Sequence, residues 1–362
     1  MPTKKSARIS RAMIAGAAMA FIGIPLSAQA TETISLTAID GYPPKALWVK
    51  AFINSYIPEI NKRLAKTGNY KIKWNQAFAG QISKVRHVID GLEKGLGDIG
   101  IVTSVFHTDK VPLNEIAYAT PFVTQDVALV ARTYDELAAE FPAMSGQWTK
   151  LNQVYLTNLD VLDSYQMFFK PKVTSVEGFK GYKVASAGLN LRYLQNTGAV
   201  GVAGSLVHYY NQMKTGVIDG CMLWPEAMIS FKVAEVAKYM VKADIGTAPS
   251  KAITMNADTW KKLPGEVRQA IKDAAPVYRD YTAQKVIEAA ETAYGKYKQM
   301  GGTITQLSAA QRKHWAMTMP NVAKDWAADV EKRGLPAKAM LTAYMDKMRA
   351  AKQPILRQWD KE

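Results

Sequence analysis

The stretch PGEVRQAIKDAAPVYRDYTAQKVIEAAETAYGKYKQM, residues 264–300, carries the strongest structural signal in the sequence. Apolar side chains recur in it at the three- and four-residue spacing of one helix face, from Val267 through Tyr278 to Tyr297. At 1.5 Å per residue such a helix reaches roughly 55 Å, well beyond the roughly 30 Å width of one small domain. The pattern therefore predicts one long helix that contacts two separate lobes.

Strands alternate with helices on the N-terminal side of this helix. Strands are predicted at Thr33–Ile39, Tyr70–Trp74 and Asp98–Ser104. A helix over about Lys45–Lys66 separates the first two, and a helix ending near Gly95 separates the last two. This alternation is typical of a mainly parallel sheet, and such sheets bind ligands at the loops beyond the carboxyl ends of their strands. We expect the loop residues Tyr42 and Gln81 to lie at such an edge.

The same alternation restarts beyond residue 150. Strands are predicted at Val154–Leu162, Gln166–Phe169 and Lys183–Ser186, and a helix is predicted to begin near Leu189. The expected fold is an α/β protein of two lobes with a long helix spanning both. The first lobe is assigned to residues 31–160 with about 249–282, and the second to residues 161–248 with about 283–362.

The first thirty residues have the features of a cleavable export signal. Four basic residues between positions 4 and 11 precede an apolar run from Met13 to Leu26, and Ala28-Gln29-Ala30 supplies the small-x-small cleavage pattern. The run is about 14 residues long, whereas a membrane-spanning helix needs about 20. We expect cleavage after Ala30 and a mature protein that works in the periplasm.

The composition excludes several classes of protein. The chain has 362 residues, 48% hydrophobic and 21% charged, which is typical of a globular protein. Its formal net charge is +15, but Lys and Arg are interleaved with acidic and apolar residues, so we expect no nucleic-acid partner. Cys221 is the only cysteine, which excludes an intramolecular disulfide and favours a buried apolar thiol. The sequence contains no HExxH, paired CxxC, Walker or GxSxG motif, and we expect no catalysis, cofactor or metal.

Four motifs in a fixed order resemble the DctP-type solute receptors of TRAP transporters. They are Ala79-Gly80-Gln81-Ile82 with residues 95–100, Thr120-Pro121-Phe122-Val123, residues 177–184, and residues 215–220 with Pro225. Each motif alone is weak, but together they cover nearly all of the chain after residue 30. The resemblance implies a periplasmic binding protein-like fold that holds a small organic solute between its lobes without catalysis. It also implies delivery to the small and large membrane subunits of an ion-gradient-driven permease.

The sequence departs from this family where the family holds a solute carboxylate with arginines. Ala185 stands where the family has the last residue of "K-I-R", and a second arginine position falls on Gln166. Arg192, at the start of the next predicted helix, is a candidate substitute, because its head and the helix N-terminus could both face an anion. Gln81, Gln166 and Asn190 are candidate neutral donors. An organic acid is the expected solute.

An aromatic or amine-bearing solute is the alternative, because aromatic faces beside carboxylates suit a cation. The candidate cleft loops carry Tyr42, Tyr165, Phe168 and Trp224 beside Asp163 and Glu226. Trp224 is the leading candidate, since it lies near the segment where the family's polar residue contacts the solute. An exported small-molecule enzyme is an alternative of another class, and the carboxyl pair Asp160 and Asp163 is its only support.

Overall fold

The computed structural model describes residues 1–3 and 30–362, so the predicted export signal falls almost wholly outside the described residues. The strands are β1 (Glu32–Ile39), β2 (Tyr70–Ala77), β3 (Ile99–Thr103), β4 (Gln153–Leu159), β5 (Gln166–Phe169), β6 (Lys183–Ser186), β7 (Val200–Ala203), β8 (Gly220–Leu223), β9 (Tyr239–Lys242), β10 (Lys251–Asn256) and β11 (Thr303–Gln306). The helices are α1 (Leu47–Ala51), α2 (Ile57–Leu64), α3 (Val88–Glu93), α4 (Val127–Glu140), α5 (Pro142–Thr149), α6 (Leu206–Lys214), α7 (Pro225–Ser230), α8 (Ala257–Lys262), α9 (Gly265–Gln299), α10 (Ala309–Thr318), α11 (Val322–Glu331) and α12 (Ala337–Ala350). Among the described residues, no helix combines the length and the apolar character that crossing a membrane requires.

Two mixed sheets form the two lobes, which confirms the predicted α/β fold. The strand order is β2-β1-β3-β10-β4 in the first sheet and β11-β9-β5-β8-β6-β7 in the second. The prediction of mainly parallel sheets is wrong for β10 and β5, each of which is antiparallel to both of its neighbours. Each of these strands enters its sheet directly from the other lobe, without the crossover helix that a parallel connection needs. The residue bounds of the two lobes stay a prediction.

Two extended segments, residues 160–165 and 243–250, run side by side between the lobes. Tyr165 N–H donates to the carbonyl of Gly246 at 3.1 Å, and Ile245 N–H donates to the carbonyl of Tyr165 at 3.2 Å. The hydroxyl of Thr247 donates to the Asp160 carboxylate at 2.6 Å. We call these two segments the hinge ribbon, because they carry the chain from one sheet to the other.

The long helix predicted over residues 264–300 is confirmed as α9. It packs on α2, α4 and β4 of the first lobe and on α7 and β11 of the second. Two of its tyrosines form hydrogen bonds to the lobes. In the first lobe Tyr278 donates to the carbonyl of Trp48 at 2.7 Å, and in the second Tyr297 donates to the carbonyl of Ala237 at 3.1 Å. The helix therefore ties the lobes together on one side of the molecule.

Two helices differ from their predictions. The segment predicted as one helix over Lys45–Lys66 consists of α1 and α2 joined by five π-helical residues, Phe52–Tyr56. Pro58 follows at once and has no N–H to donate, and the N–H of Ile57 reaches five residues back to the carbonyl of Phe52. The helix predicted near Leu189 is a 3-10 segment, Gly188–Leu194, with about three residues per turn.

Candidate functional site

A small cavity lies between the two lobes beside the hinge ribbon. Its volume is about 30 Å³, roughly twice what one water molecule requires. The first lobe and the adjoining hinge ribbon contribute Tyr42, Thr103, Val105, Phe106, Ser250 and Lys251, and the second lobe contributes Tyr165, Ala187, Asn190, Leu206, Tyr209, Met222, Leu223 and Trp224. Several of these residues follow the carboxyl ends of β1, β3, β6 and β8, where α/β sheets place their ligands.

The lobes touch each other at the rim of this cavity. The guanidinium of Arg86 lies 4.0 Å from the centroid of the Phe106 ring, and its Nη2 donates to the carbonyl of Gly204 at 3.5 Å. A larger groove of about 850 Å³ adjoins this contact between the lobes, and its basic lining includes Lys84 and His208. The lobes are therefore in contact beside the cavity, and the groove carries the cations Lys84 and Arg86.

Within the described part of the chain, Lys251 is the only charged side chain that lines the cavity. It begins β10 and lies directly opposite Thr103 of β3 in the antiparallel register, and its Nζ donates to the Thr103 hydroxyl at 2.8 Å. The ammonium lies 4.4 Å from the Tyr42 ring centroid and 4.3 Å from that of Trp48. Burial lowers the pKa of Lys251, and the nearby Asp40 charge opposes this effect. Because an ammonium has three donors, Lys251 keeps donors for an anionic guest.

Asp40 fixes the two rings that flank this ammonium. Its carboxylate accepts the backbone N–H of Tyr42 at 2.9 Å and the indole N–H of Trp48 at 3.0 Å. Burial raises the pKa of Asp40, while Lys251 and these hydrogen bonds act in the opposite direction. The first-lobe wall is therefore a rigid unit of one cation, two rings and one carboxylate behind them.

The second-lobe wall carries buried polar groups. Asn190 is fully buried, and its amide has no hydrogen bond of normal length among the described residues, although the Tyr165 hydroxyl lies beside it. The indole N–H of Trp224 lies near the Glu226 carboxyl and opposes the rise that burial causes in the pKa of that group. The Tyr165 hydroxyl lies 3.3 Å from that of Tyr118, and burial raises the pKa of Tyr165 to about 12, so its phenol is neutral. Buried polar groups without hydrogen bonds are rare in proteins, and the Asn190 amide lines a cavity.

The structure brings together four of the nine predicted site residues. Tyr42, Tyr165, Asn190 and Trp224 all line the cavity, and their contact with a solute stays a prediction. The remaining predicted residues, Gln81, Gln166, Phe168, Arg192 and Glu226, lie elsewhere. Lys251 is absent from the residues predicted from the sequence. Its one local signal is a lysine at the start of the otherwise apolar run KAITM.

Gln166 and Phe168 are occupied by structural contacts. The Gln166 side-chain oxygen accepts the backbone N–H groups of residues 243 and 244 at 2.7 and 2.9 Å, and its nitrogen donates to Asp244 at 2.8 Å. Phe168 is fully buried and packs edge-on against Tyr297, at 6.0 Å between centroids. Gln166 therefore locks the hinge ribbon to β5, and Phe168 belongs to the core.

Arg192, Glu226 and Gln81 face other surfaces. Arg192 lines a separate groove with Asp325 and Asp329. It lies two residues after Asn190 in a 3-10 segment with three residues per turn, so the two side chains point to different faces. Glu226 lines a groove on α9 with several lysines, and Gln81 is exposed in the turn after β2. The cation at the cavity is Lys251 and not Arg192.

Asp160, Asp163 and Cys221, the side chains that catalysis could use, do not line the cavity. Asp160 is bonded to Thr247 in the hinge ribbon, and Asp163 does not line the cavity. Cys221 is buried and burial raises its pKa, which confirms an apolar role for this thiol. Among the described residues, no group of three or more His, Cys, Asp or Glu side chains could hold a metal ion.

Comparison with known proteins gives a consistent set of similarities. The family described as bacterial extracellular solute-binding protein, family 7, matches residues 52–329. The C4-dicarboxylate-binding periplasmic protein DctP of Rhodobacter capsulatus is 25% identical over 229 residues, which are 61% of this chain and 68% of DctP. A TRAP solute-binding protein from Rhodoferax ferrireducens T118, in complex with copurified benzoate, has a similar structure, with a TM-score of 0.78, 18% identity and coverage of 88% of this chain and 98% of that one. A marine metagenome TRAP solute-binding protein specific for aromatic acid ligands gives a TM-score of 0.75, 20% identity and coverage of 88% and 99%.

Proposed function

The chain belongs to the bacterial extracellular solute-binding protein family 7, and we propose that it is the periplasmic receptor of a TRAP transporter for a small organic acid. The guest is held between the lobes with its carboxylate on Lys251, and because a cavity of about 30 Å³ is smaller than such an acid, the lobes stand further apart when it is bound. The observation that carries this proposal is the buried ammonium of Lys251, which gives one hydrogen bond to Thr103 and lines the cavity. A buried cation with donors to spare recognises an anion.

The position of Lys251 accounts for the missing family arginines. A charge-assisted hydrogen bond is roughly twice as strong as a neutral one, and the low dielectric of a closed cavity strengthens it further. Lys251 supplies this charge at the start of β10, whereas positions 166 and 185 in the second lobe carry glutamine and alanine. A lysine acts as a point charge without the planar fork of arginine, so the carboxylate orientation depends on other contacts.

The charge of the cavity favours an acid over an amine. An ammonium guest would meet the ammonium of Lys251 in a space with little solvent to screen the repulsion. Asp163 and Glu226, the carboxylates that the amine alternative requires, are not part of the cavity lining. The rings of Tyr42, Tyr165 and Trp224 are equally suited to the apolar body of an acid.

The proposed receptor works in the periplasm with a membrane permease. The receptor is exported by its N-terminal signal, cleaved after Ala30, and passes its solute unchanged to the small and large membrane subunits of the permease. Family membership and the signal-like sequence of residues 1–30 support this assignment. In support of a receptor rather than an enzyme, both relatives with similar structures are solute-binding proteins.

A ligand screen tests the function. The melting temperature of the purified protein is measured with small carboxylates such as lactate and benzoate and with matched amines such as benzylamine. A ligand selective for the folded state raises the melting temperature, and we expect this from carboxylates alone. Proton NMR of the recovered ligand should show it unchanged. Stabilisation by amines without stabilisation by any carboxylate contradicts the proposal.

Transport and export need separate measurements in the host. Deletion of the gene should abolish uptake of the labelled carboxylate that binds best, and uptake at the parental rate would contradict a transport role. N-terminal sequencing of the protein recovered from the periplasm should begin at Thr31. A protein that retains residues 1–30 would contradict the predicted cleavage.

A further inference from the structure

We propose that the solute is a monocarboxylate whose far end carries an uncharged group, such as a hydroxyl or an amide, that both accepts and donates a hydrogen bond. Lys251 of the first lobe holds the carboxylate, and Asn190 of the second lobe binds the uncharged group. This inference rests on the proposed function and narrows it to one class of organic acid.

The charges around the cavity limit the guest to one carboxylate. Lys251 is the only charged residue in the described lining, and Asp40 lies behind it as a negative charge. A second carboxylate would have to face Leu206, Leu223 or the neutral polar groups of the second lobe. An ionised carboxylate buried without a cation is strongly destabilised. Dicarboxylates are therefore excluded from this cavity.

The amide of Asn190 sets the chemistry of the other end. Asn190 is fully buried and lines the cavity, and within the described chain only the Tyr165 hydroxyl lies near enough to its amide to take up one of the two atoms. A guest group that accepts from the nitrogen and donates to the oxygen satisfies both atoms at once. An apolar guest leaves an atom of this amide unpaired and binds more weakly.

The wall between these two ends is apolar. Phe106, Leu206, Met222 and Leu223 line it together with the rings of Tyr209 and Trp224. A body of hydrocarbon or aromatic character is therefore favoured between the carboxylate and the polar group. The two polar ends contact different lobes, so a guest of the right length also holds the lobes together.

Matched ligand pairs test the inference. Isothermal titration calorimetry compares lactate with propanoate and 3-hydroxybenzoate with benzoate, and uses succinate and isophthalate as dicarboxylates. In at least one pair, we expect the hydroxylated member to bind about 10- to 100-fold more tightly than its parent, because the parent leaves buried donors and acceptors unpaired. The dicarboxylates should bind more weakly than either member of that pair.

Two variants test the role of Asn190. Asn190→Leu should lose the preference for the hydroxylated acid while the parent acid keeps its affinity within about threefold, since an apolar replacement removes the unpaired groups. Asn211→Leu, the same change on the exposed face of α6, is the control and should behave as the wild type.

The outcomes separate this inference from the proposed function. If both members of every pair bind equally, or if a dicarboxylate binds most tightly, the inference is wrong and the proposed function stands. If no carboxylate binds, both are wrong. If Asn190→Leu weakens the parent and the hydroxylated acid equally, Asn190 has a structural role only and the inference is wrong.

Discussion

A β-carbon on Gly188 would lie 2.3 Å from the carbonyl oxygen of Val105, although the two residues belong to opposite lobes. Gly188 follows β6, and Val105 follows β3 and lines the cavity. The φ angle of Gly188 is +52°, in the left-handed region that glycine adopts most readily. The backbones of the two lobes therefore meet here at a distance that no side chain at position 188 could allow.

Gly188→Ala should keep the two lobes from approaching fully, because the added methyl group would overlap the Val105 carbonyl. We expect the affinity for the preferred carboxylate to fall about 10- to 100-fold, because an added methyl group in a packed contact costs about 1–3 kcal/mol. Calorimetry measures the affinity. Small-angle scattering with saturating ligand should give a larger radius of gyration for the variant than for the wild type.

Gly181→Ala is the matched control for Gly188→Ala. Gly181 also has a left-handed φ, +82°, but a β-carbon there meets nothing within 4 Å. It therefore reproduces the backbone strain without the contact between lobes. Equal losses of affinity in the two variants would mean that strain, and not the contact with Val105, is responsible.

The sequence predicts the local elements well, because their signals are periodic and short in range. The apolar face of α9 is visible in residues 264–300, and the predicted bounds of β5 and β6 match those of the structure. The position of Lys251 depends instead on a pairing between β10 and β3, whose residues Lys251 and Thr103 are 148 positions apart. No spacing rule reaches that far, so the cation of the site could not be predicted.

The opposite orientations of Asn190 and Arg192 could not be predicted from the sequence either, for a different reason. Both residues fall in a segment predicted as an α-helix, where a residue near its start could point at an anion from the helix N-terminus. The segment is a tighter 3-10 turn, in which Asn190 and Tyr193 face inward and Arg192 faces a surface groove. Which of two short helical forms a segment adopts depends on packing, and here the close approach of Gly188 to Val105 constrains it.

Lys251→Met should abolish carboxylate binding. Loss of one partner of a buried charge pair costs about 2 kcal/mol or more, so the dissociation constant should rise at least about 30-fold. The control is Lys50→Met on the exposed face of α1, which should bind as the wild type does. Unchanged affinity in Lys251→Met would remove the ammonium from the site.

The stability of this variant should reveal the role of Asp40. Removing Lys251 leaves the Asp40 carboxylate buried with its hydrogen bonds to Tyr42 and Trp48 but without the nearby cation, and the free energy of unfolding at pH 8 should fall. The double variant Asp40→Asn/Lys251→Met should recover stability without recovering binding. Denaturant titration measures the first effect and calorimetry the second. Recovery of both would show that the lysine acts only on the fold.

Carboxylate affinity should fall as the pH rises above neutral. Burial lowers the pKa of Lys251 from its ordinary value of 10.5, so the free receptor loses its ammonium at a lower pH than an exposed lysine does. An anionic guest favours the charged form, so binding takes up protons and weakens by up to about tenfold per pH unit above that pKa.

Calorimetry in buffers of different ionisation enthalpy measures the proton uptake. Lys251→Arg, which stays charged, should bind with little pH dependence, and an equally steep profile in that variant would assign the effect to another group.

Glu115 should make the protein less stable as the pH rises from about 5 to 8. Its carboxyl is fully buried, and burial raises its pKa to about 8 although the nearby Ser104 side chain acts in the opposite direction. In that pH range the folded protein keeps the proton and the unfolded chain releases it, so the free energy of unfolding falls by up to about 1.4 kcal/mol per pH unit. Glu115→Gln, which is neutral at every pH, should flatten this dependence and be more stable than the wild type at pH 8. Denaturant titrations at pH 5 and pH 8 measure both effects, with Glu291→Gln on the exposed face of α9 as the control. A pH dependence of the same steepness in Glu115→Gln would show that Glu115 is ionised in the folded protein.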